Sequence, residues 1–481
     1  SFVAASRIRG LLTDPTIPKE IDPEAIYHYL FFQAICSPVS IYKDISKLAP
    51  GKALYFENGS LKEFFHYDIH YKPDASLNES HWVNTIPREV EKAVKVYLPL
   101  SEQEKTGCFL SGGTDSSSVA GYCTKLNGKP ARTFSIGFDE PGYNELNYAH
   151  IVARHFNTEQ HDYYVTPKDV LDLIDTLPLI YDEPFGNASV VPAYYCARMA
   201  CEAGVKVLLA GDGGDEIFGG NERYVTNLLF EKYYLLPRSL RVLLLEPLLA
   251  KLPAVGPLYK ASRYIRRANI HNPERFFSYN LLAETDPSKI FQPGYLYQLD
   301  SNSFINLAKS HYDQAAPAHD TDRLLYIDMK FTITDNDLRK VTQMVEVAGL
   351  QVRYPLLDRD LVDFSATIPP TLKVKPGKSR YIFKQAMEGF LPHEIILKKK
   401  HGMGLPIAPW FKTDTGLSEL LNDTIFSGVP RITQYIRPEF INSIKSAFEN
   451  EHSPYYGDNL WVYLILELWL GKRIHSKEDF I

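Results

Sequence analysis

The stretch Thr106-Gly107-Cys108-Phe109-Leu110-Ser111-Gly112-Gly113-Thr114-Asp115-Ser116-Ser117-Ser118 decides the fold. Thr106 to Leu110 reads as a short apolar strand, the two glycines as a turn, and Val119-Ala120-Gly121-Tyr122 as the continuation of a helix. A strand, a glycine turn and a helix N-terminus together present unpaired backbone N–H groups to an anion. The glycines let the backbone approach phosphate oxygens, Ser111, Ser116 and Ser117 can donate hydrogen bonds, and Asp115 can hold the magnesium that phosphate chemistry needs. No Walker lysine follows, which excludes a P-loop NTPase. Alone, the stretch also fits a Gly-Ser turn with Asp115 as an ordinary helix N-cap.

A second loop of the same logic follows another apolar run, Val205-Lys206-Val207-Leu208-Leu209-Ala210-Gly211-Asp212-Gly213-Gly214-Asp215-Glu216-Ile217-Phe218-Gly219-Gly220. Acids among glycines at a strand end are a poor choice for packing, whereas Asp212 and Asp215 suit metal coordination and substrate orientation. Between and around the loops, strands alternate with helices: Thr133 to Phe138, then a helix Asn144 to Phe156, then a helix Pro192 to Ala203 before the strand from Val205. The alternation predicts an α/β fold with a parallel sheet flanked by helices, its ligands at the carboxyl ends of the strands. Beyond Tyr224 the pattern turns helical and aromatic-rich, with arginine clusters read as solvated. Ahead of the sheet, Ala53 to Phe56 and Ser60 to Tyr67 read as a hairpin, and a linker is placed near residue 75.

Bulk properties narrow the partners. At 481 residues the chain exceeds one ordinary core, given about 150 residues per domain. A net charge of -6 with 23% charged residues offers no polybasic surface for nucleic acid or anionic membrane. Cys36, Cys108, Cys123, Cys196 and Cys201 show no CxxC pairing, so a reducing cytoplasm is expected rather than a disulfide framework or zinc site. Neither a membrane span nor a signal peptide is read. The first residue is Ser1 rather than Met, and the opening Phe2-Val3-Ala4-Ala5-Ser6 reads as a strand end without a preceding partner, as in part of a longer gene product or a trimmed chain.

The Ser-Gly-Gly-x-Asp-Ser loop and the Gly-Asp-Gly-Gly-Asp-Glu-x-Phe-Gly-Gly loop together resemble the synthetase domain of glutamine-dependent asparagine synthetases, an ATP-pyrophosphatase fold. Supporting segments fall in that family's order: Phe134-Ser135-Ile136-Gly137-Phe138, Asn144-Glu145, Asp182-Glu183-Pro184-Phe185, Pro355-Leu356-Leu357-Asp358 and Lys400-His401-Gly402-Met403-Gly404-Leu405-Pro406. The resemblance implies a synthetase domain over residues 75–481 and, over 1–70, the β-rich remnant of an N-terminal glutaminase domain lacking its nucleophilic cysteine, so ammonia rather than glutamine is expected to serve this chain. It implies ATP and Mg²⁺ as cofactors, with the metal on Asp115 and Asp215. The nucleotide would lie on Phe109, Leu110, Ser111, Gly112, Gly113, Asp115, Ser116, Ser117, Ile136, Ala210 and Gly211. Asp212 would act in forming an acyl-adenylate, and Lys400 would sit near its phosphate while Lys398 and Lys399 stay exposed.

The implied reaction is attack of a carboxylate, that of the aspartate side chain, on the α-phosphorus of ATP, loss of pyrophosphate, and attack of ammonia to give the amide and AMP. One departure bears on the acceptor: the family's Glu-Ala-Arg-x-Pro-Phe-Leu-Asp reads Gln351-Val352-Arg353-Tyr354-Pro355-Leu356-Leu357-Asp358 here. That variant is similar to amidotransferases of exopolysaccharide systems, which leaves another carboxylate open. A non-catalytic nucleotide-binding protein is the rival from a different class, and the oligomeric state, a homodimer included, is open.

Overall fold

The computed structural model describes residues 2–98, 105–247, 263–399, 404–451 and 453–475. Its centre is a five-stranded, all-parallel sheet of β3 (Thr106–Phe109), β4 (Arg132–Phe138), β5 (Glu159–Val165), β6 (Val207–Leu209) and β7 (Gln351–Arg353), in the order β5-β4-β3-β6-β7. The registers align Cys108 with Thr133 on one side and with Leu209 on the other, and Leu209 with Arg353.

Side chains of a strand alternate between faces, and β6 shows it directly. Val207 and Leu209 join Cys108, Val119, Ala120 and Val152 under one layer of helices. Leu208 joins Phe134, Ala197, Ala200, Val341 and Val345 under the other. Helix Thr114–Asn127 and helix Leu146–Phe156 cover the first face, helix Val190–Glu202 and helix Leu338–Val347 the second. The short runs of apolar residues expected for strands buried on both faces are therefore what the sheet needs.

Helix Glu79–Val96 begins where the side chain of Asn78 accepts from the N–H of His81, and it buries Trp82, Ile86, Val90, Ala93 and Val94 at helical spacing. Two strands escaped the sequence reading. In β5, Glu159-Gln160-His161-Asp162-Tyr163-Tyr164-Val165 is mostly polar because it is the sheet edge, and β7 spans three residues inside a helical region.

Ahead of the sheet, β1 (Lys52–Glu57) and β2 (Ser60–Phe65) form the expected antiparallel hairpin, with Glu57 opposite Ser60. Residues 2–70 build no core of their own. Ala25, Ile26, Tyr29 and Phe31 of helix Pro23–Phe32 share one apolar cluster with Phe304, Leu324 and, from helix Pro454–His475, Leu460, Trp461 and Leu464. The Tyr29 hydroxyl donates to the Val462 carbonyl at 2.7 Å. Among the described residues no helix is long and apolar enough to cross a membrane.

Candidate functional site

The two glycine loops meet at the carboxyl ends of β3 and β6. Their contact requires glycine: a β-carbon on Gly211 would lie 2.6 Å from the backbone nitrogen of Ser116, and one on Gly112, whose φ is +69°, would lie 2.5 Å from Tyr148. Ser111 and Ser116 hydroxyls stand 3.0 Å apart, and the Ser111 N–H donates to Ser116 Oγ at 3.2 Å. Helix Thr114–Asn127 starts at Gly113 without a side-chain cap, the kind of helix start that favours an anion at its N-terminus.

A cavity of about 460 Å³ opens over this junction. Of the residues expected to hold a nucleotide, Phe109, Leu110, Ser111, Gly113, Asp115, Ser116, Ile136 and Gly211 line it, as do Asp212 and Asp215. Gly112 and Ala210 support the loops from behind, and the Ala210 N–H donates to Arg353 O at 2.9 Å. Ser117 is fully buried, and its hydroxyl, which has no hydrogen-bond partner among the described residues, is off the cavity wall. Lys400 lies outside the described residues.

The structure adds cations that the sequence did not single out. Arg380 is 6% exposed and stands between the two acids: its Nη2 donates to Asp115 Oδ2 at 2.6 Å and its Nε to Asp215 Oδ1 at 2.8 Å, while Nη1 reaches Asp115 and Thr114. Its backbone sits at φ 53°, the left-handed region that costs a side-chain-bearing residue, and its N–H donates to Gly219 O at 2.9 Å. Burial works against the guanidinium charge, and Asp115 and Asp215 outweigh it, holding the group above its ordinary value.

Lys398, expected to be solvated, is instead turned inward. Its side chain is 7% exposed, its Nζ stands 3.1 Å from Glu145 Oε2, donates to Gly112 O at 3.5 Å and lies 4.4 Å from the Tyr148 ring centre. Burial draws its pKa down, with Glu145 opposing. The sequence reading failed because three adjacent lysines look alike, whereas the chain leaves helix His393–Leu397 extended, so neighbours point apart. Lys399 is exposed at the cavity mouth, as expected. Lys384 also lines the cavity and donates to Lys398 O at 3.3 Å, tying the segment down.

At the other end, burial pushes Asp212 up to about 6, with Lys340 opposing and Asp337 and Asp115 reinforcing. Lys340 donates to Asp337 Oδ1 at 2.7 Å; burial lowers its pKa, but Asp337 and Asp212 outweigh this and hold it high. Gln351, by contrast, is exposed at the amino end of β7 and is not part of the wall. The position that sequence reading tied to the acceptor is thus outside the cavity, and Asp337 supplies a carboxylate inside it.

Asp115 and Asp215 converge on one guanidinium, and so on one point in space. Among the described residues no group of three His, Cys, Asp or Glu side chains could cage a metal ion. Two carboxylates suit magnesium, which is commonly held by one or two carboxylates plus the phosphates of a substrate. The donor set therefore fits an ion that arrives with a nucleotide.

Comparison with known proteins places this site in context. The asparagine synthase family model matches residues 86–471, and a glutamine amidotransferase domain model matches residues 1–67. The chain is 25% identical to asparagine synthetase (glutamine-hydrolyzing) 1 of Bacillus subtilis over 463 residues, 95% of this chain and 70% of that relative. It is 33% identical to putative asparagine synthetase (glutamine-hydrolyzing) 2 of Methanocaldococcus jannaschii over 363 residues, 73% of this chain and 67% of that relative.

Proposed function

Because the chain belongs to the asparagine synthase family of carbon–nitrogen ligases, we propose that its cavity binds ATP and activates a carboxylate, that of the aspartate side chain, as an acyl-adenylate that ammonia converts to the amide. The observation that carries this reading is the meeting of two glycine loops, two facing aspartates and inward-turned Arg380 and Lys398 in one cavity. The apolar wall of Phe109, Phe134, Ile136 and Val341 suits a purine, and the N-terminus of helix Thr114–Asn127, which has no side-chain cap, suits phosphate oxygens.

Asp115 and Asp215 would hold Mg²⁺ together with phosphate oxygens, and a bound Mg²⁺ would offset charge on the departing pyrophosphate. Asp212 would act in forming the acyl-adenylate, and Lys398, which lines the cavity, would offset charge that builds at the phosphate. Residues 1–70 are read as the end of a glutaminase domain, a reading supported by the match over 1–67. Five free cysteines suit a reducing cytoplasm.

The test is a panel of carboxylates, aspartate and sugar acids among them, assayed for AMP release with ammonia. Release stimulated by aspartate supports the reading. Stimulation by another carboxylate alone moves the acceptor, and tight ATP binding without any AMP overturns the catalytic reading.

A further inference from the structure

We propose that Arg380 is the resident counter-ion of the Asp115–Asp215 pair, keeping the free protein from binding divalent cations alone and coupling their entry to that of the nucleotide. The inference rests on the reading of the cavity as a magnesium–nucleotide site. Its basis is geometric. One guanidinium fork spans both carboxylates, and the side chains of all three residues are mostly withdrawn from water, at 8% exposure for Arg380, 16% for Asp115 and 14% for Asp215. In such surroundings two facing carboxylates repel strongly, and the fork satisfies them by bidentate hydrogen bonding.

The fork is fixed from the backbone outward. The N–H of Arg380 is bound to Gly219 O, its φ is left-handed, and Gly220 leaves space where a β-carbon would strike both the Asp215 carboxylate and the guanidinium. A bare divalent cation approaching the pair must displace these hydrogen bonds while facing a positive charge whose other acceptor is the neutral Thr114 hydroxyl, so that an anionic acceptor is still wanted. Phosphate oxygens supply that acceptor. When cation and phosphates arrive together, the guanidinium donors pass to phosphate oxygens and the carboxylate oxygens become available to the metal. Cation and nucleotide therefore bind cooperatively, and Arg380 is the element that couples them.

The experiment measures Mn²⁺ binding to the full chain by the electron paramagnetic resonance of free Mn²⁺, with and without a non-hydrolysable ATP analogue, after correction for Mn²⁺ held by the analogue itself. The wild-type protein is expected to bind Mn²⁺ weakly alone and tightly with the analogue. Arg380→Met should bind Mn²⁺ alone roughly tenfold more tightly or better, within the range of ordinary coupling between sites, and Asp215→Asn in that background should remove the gain. Arg380→Lys, which keeps a charge and so guards against loss of fold, should fall between the two. Wild-type protein that binds Mn²⁺ alone as tightly as with the analogue, in a manner abolished by Asp115→Asn, overturns the proposal, as does a folded Arg380→Met with no gain. Absence of Mn²⁺ binding even with the analogue instead sinks the nucleotide reading beneath it.

Discussion

Replacing Lys398 by Met removes a buried cation while keeping most of the apolar stem. At 3.1 Å from Glu145, the gross attraction is about 5 kcal/mol at an effective dielectric constant of ~20. Desolvation and the 24% exposure of Glu145 reduce the net coupling to roughly 1 to 3 kcal/mol. Under the proposed adenylation the catalytic loss is larger, because the lysine also holds the Gly112 carbonyl of the first glycine loop and lines the cavity in which charge would develop. Loss of one such electrostatic contact costs on the order of a hundredfold in rate. In pyrophosphate–ATP exchange, Lys398→Met should therefore lose about a hundredfold in kcat/KM, and Glu145→Gln about tenfold. The double variant should be no worse than Lys398→Met, since partners in one contact are not additive. Lys399→Ala, at the exposed mouth, should stay near wild type. Equal mild losses at 398 and 399 would refute the assignment of Lys398 to the cavity, and additive losses at 145 and 398 would refute their pairing.

Asp115→Asn and Asp215→Asn should each abolish magnesium-dependent exchange in a folded protein, and normal exchange in either would remove that residue from the metal site. Asp212 titrates near 6 in the folded chain against an ordinary 3.8, so the folded state binds the extra proton between these values and its stability falls as pH rises through them. The melting temperature of wild type relative to Asp212→Asn should accordingly drop between pH 4 and pH 6, and parallel curves would show Asp212 unperturbed. Gln351→Glu should leave the acceptor preference unchanged, since the position is exposed off the cavity wall; a new preferred carboxylate would return Gln351 to the acceptor site.

What could be read in the sequence was local. Strand, glycine turn and helix start lie within thirteen residues at 106–118, and the same logic at 205–220 located the second of the two glycine loops. The edge strand β5 was not legible because its residues are mostly polar and only Val165 is buried, and β7 was not because three residues carry no period. Arg380 gave no local signal either. It meets Asp115 from 265 positions away and Asp215 from 165, in the turn Gly377-Lys378-Ser379-Arg380, where a basic residue ordinarily means a solvated one. Lys398 was misread for the related reason that burial is decided by where the chain turns rather than by residue type.

The shared core of helix Pro23–Phe32 and helix Pro454–His475 has a consequence for how the protein comes into being. Tyr29 and Val462, joined by a hydrogen bond, are separated by 433 residues, so the early helix is made long before the surface it needs. Contacts of such sequence separation close slowly and late. While the chain emerges from the ribosome, Ala25, Ile26, Tyr29 and Phe31 have no final partner and are exposed to aggregation or to a chaperone. Completion of the largest apolar cluster must wait for the last helix, so translation stalled before residue 454 should yield a protease-sensitive chain even though the whole sheet has already been synthesised.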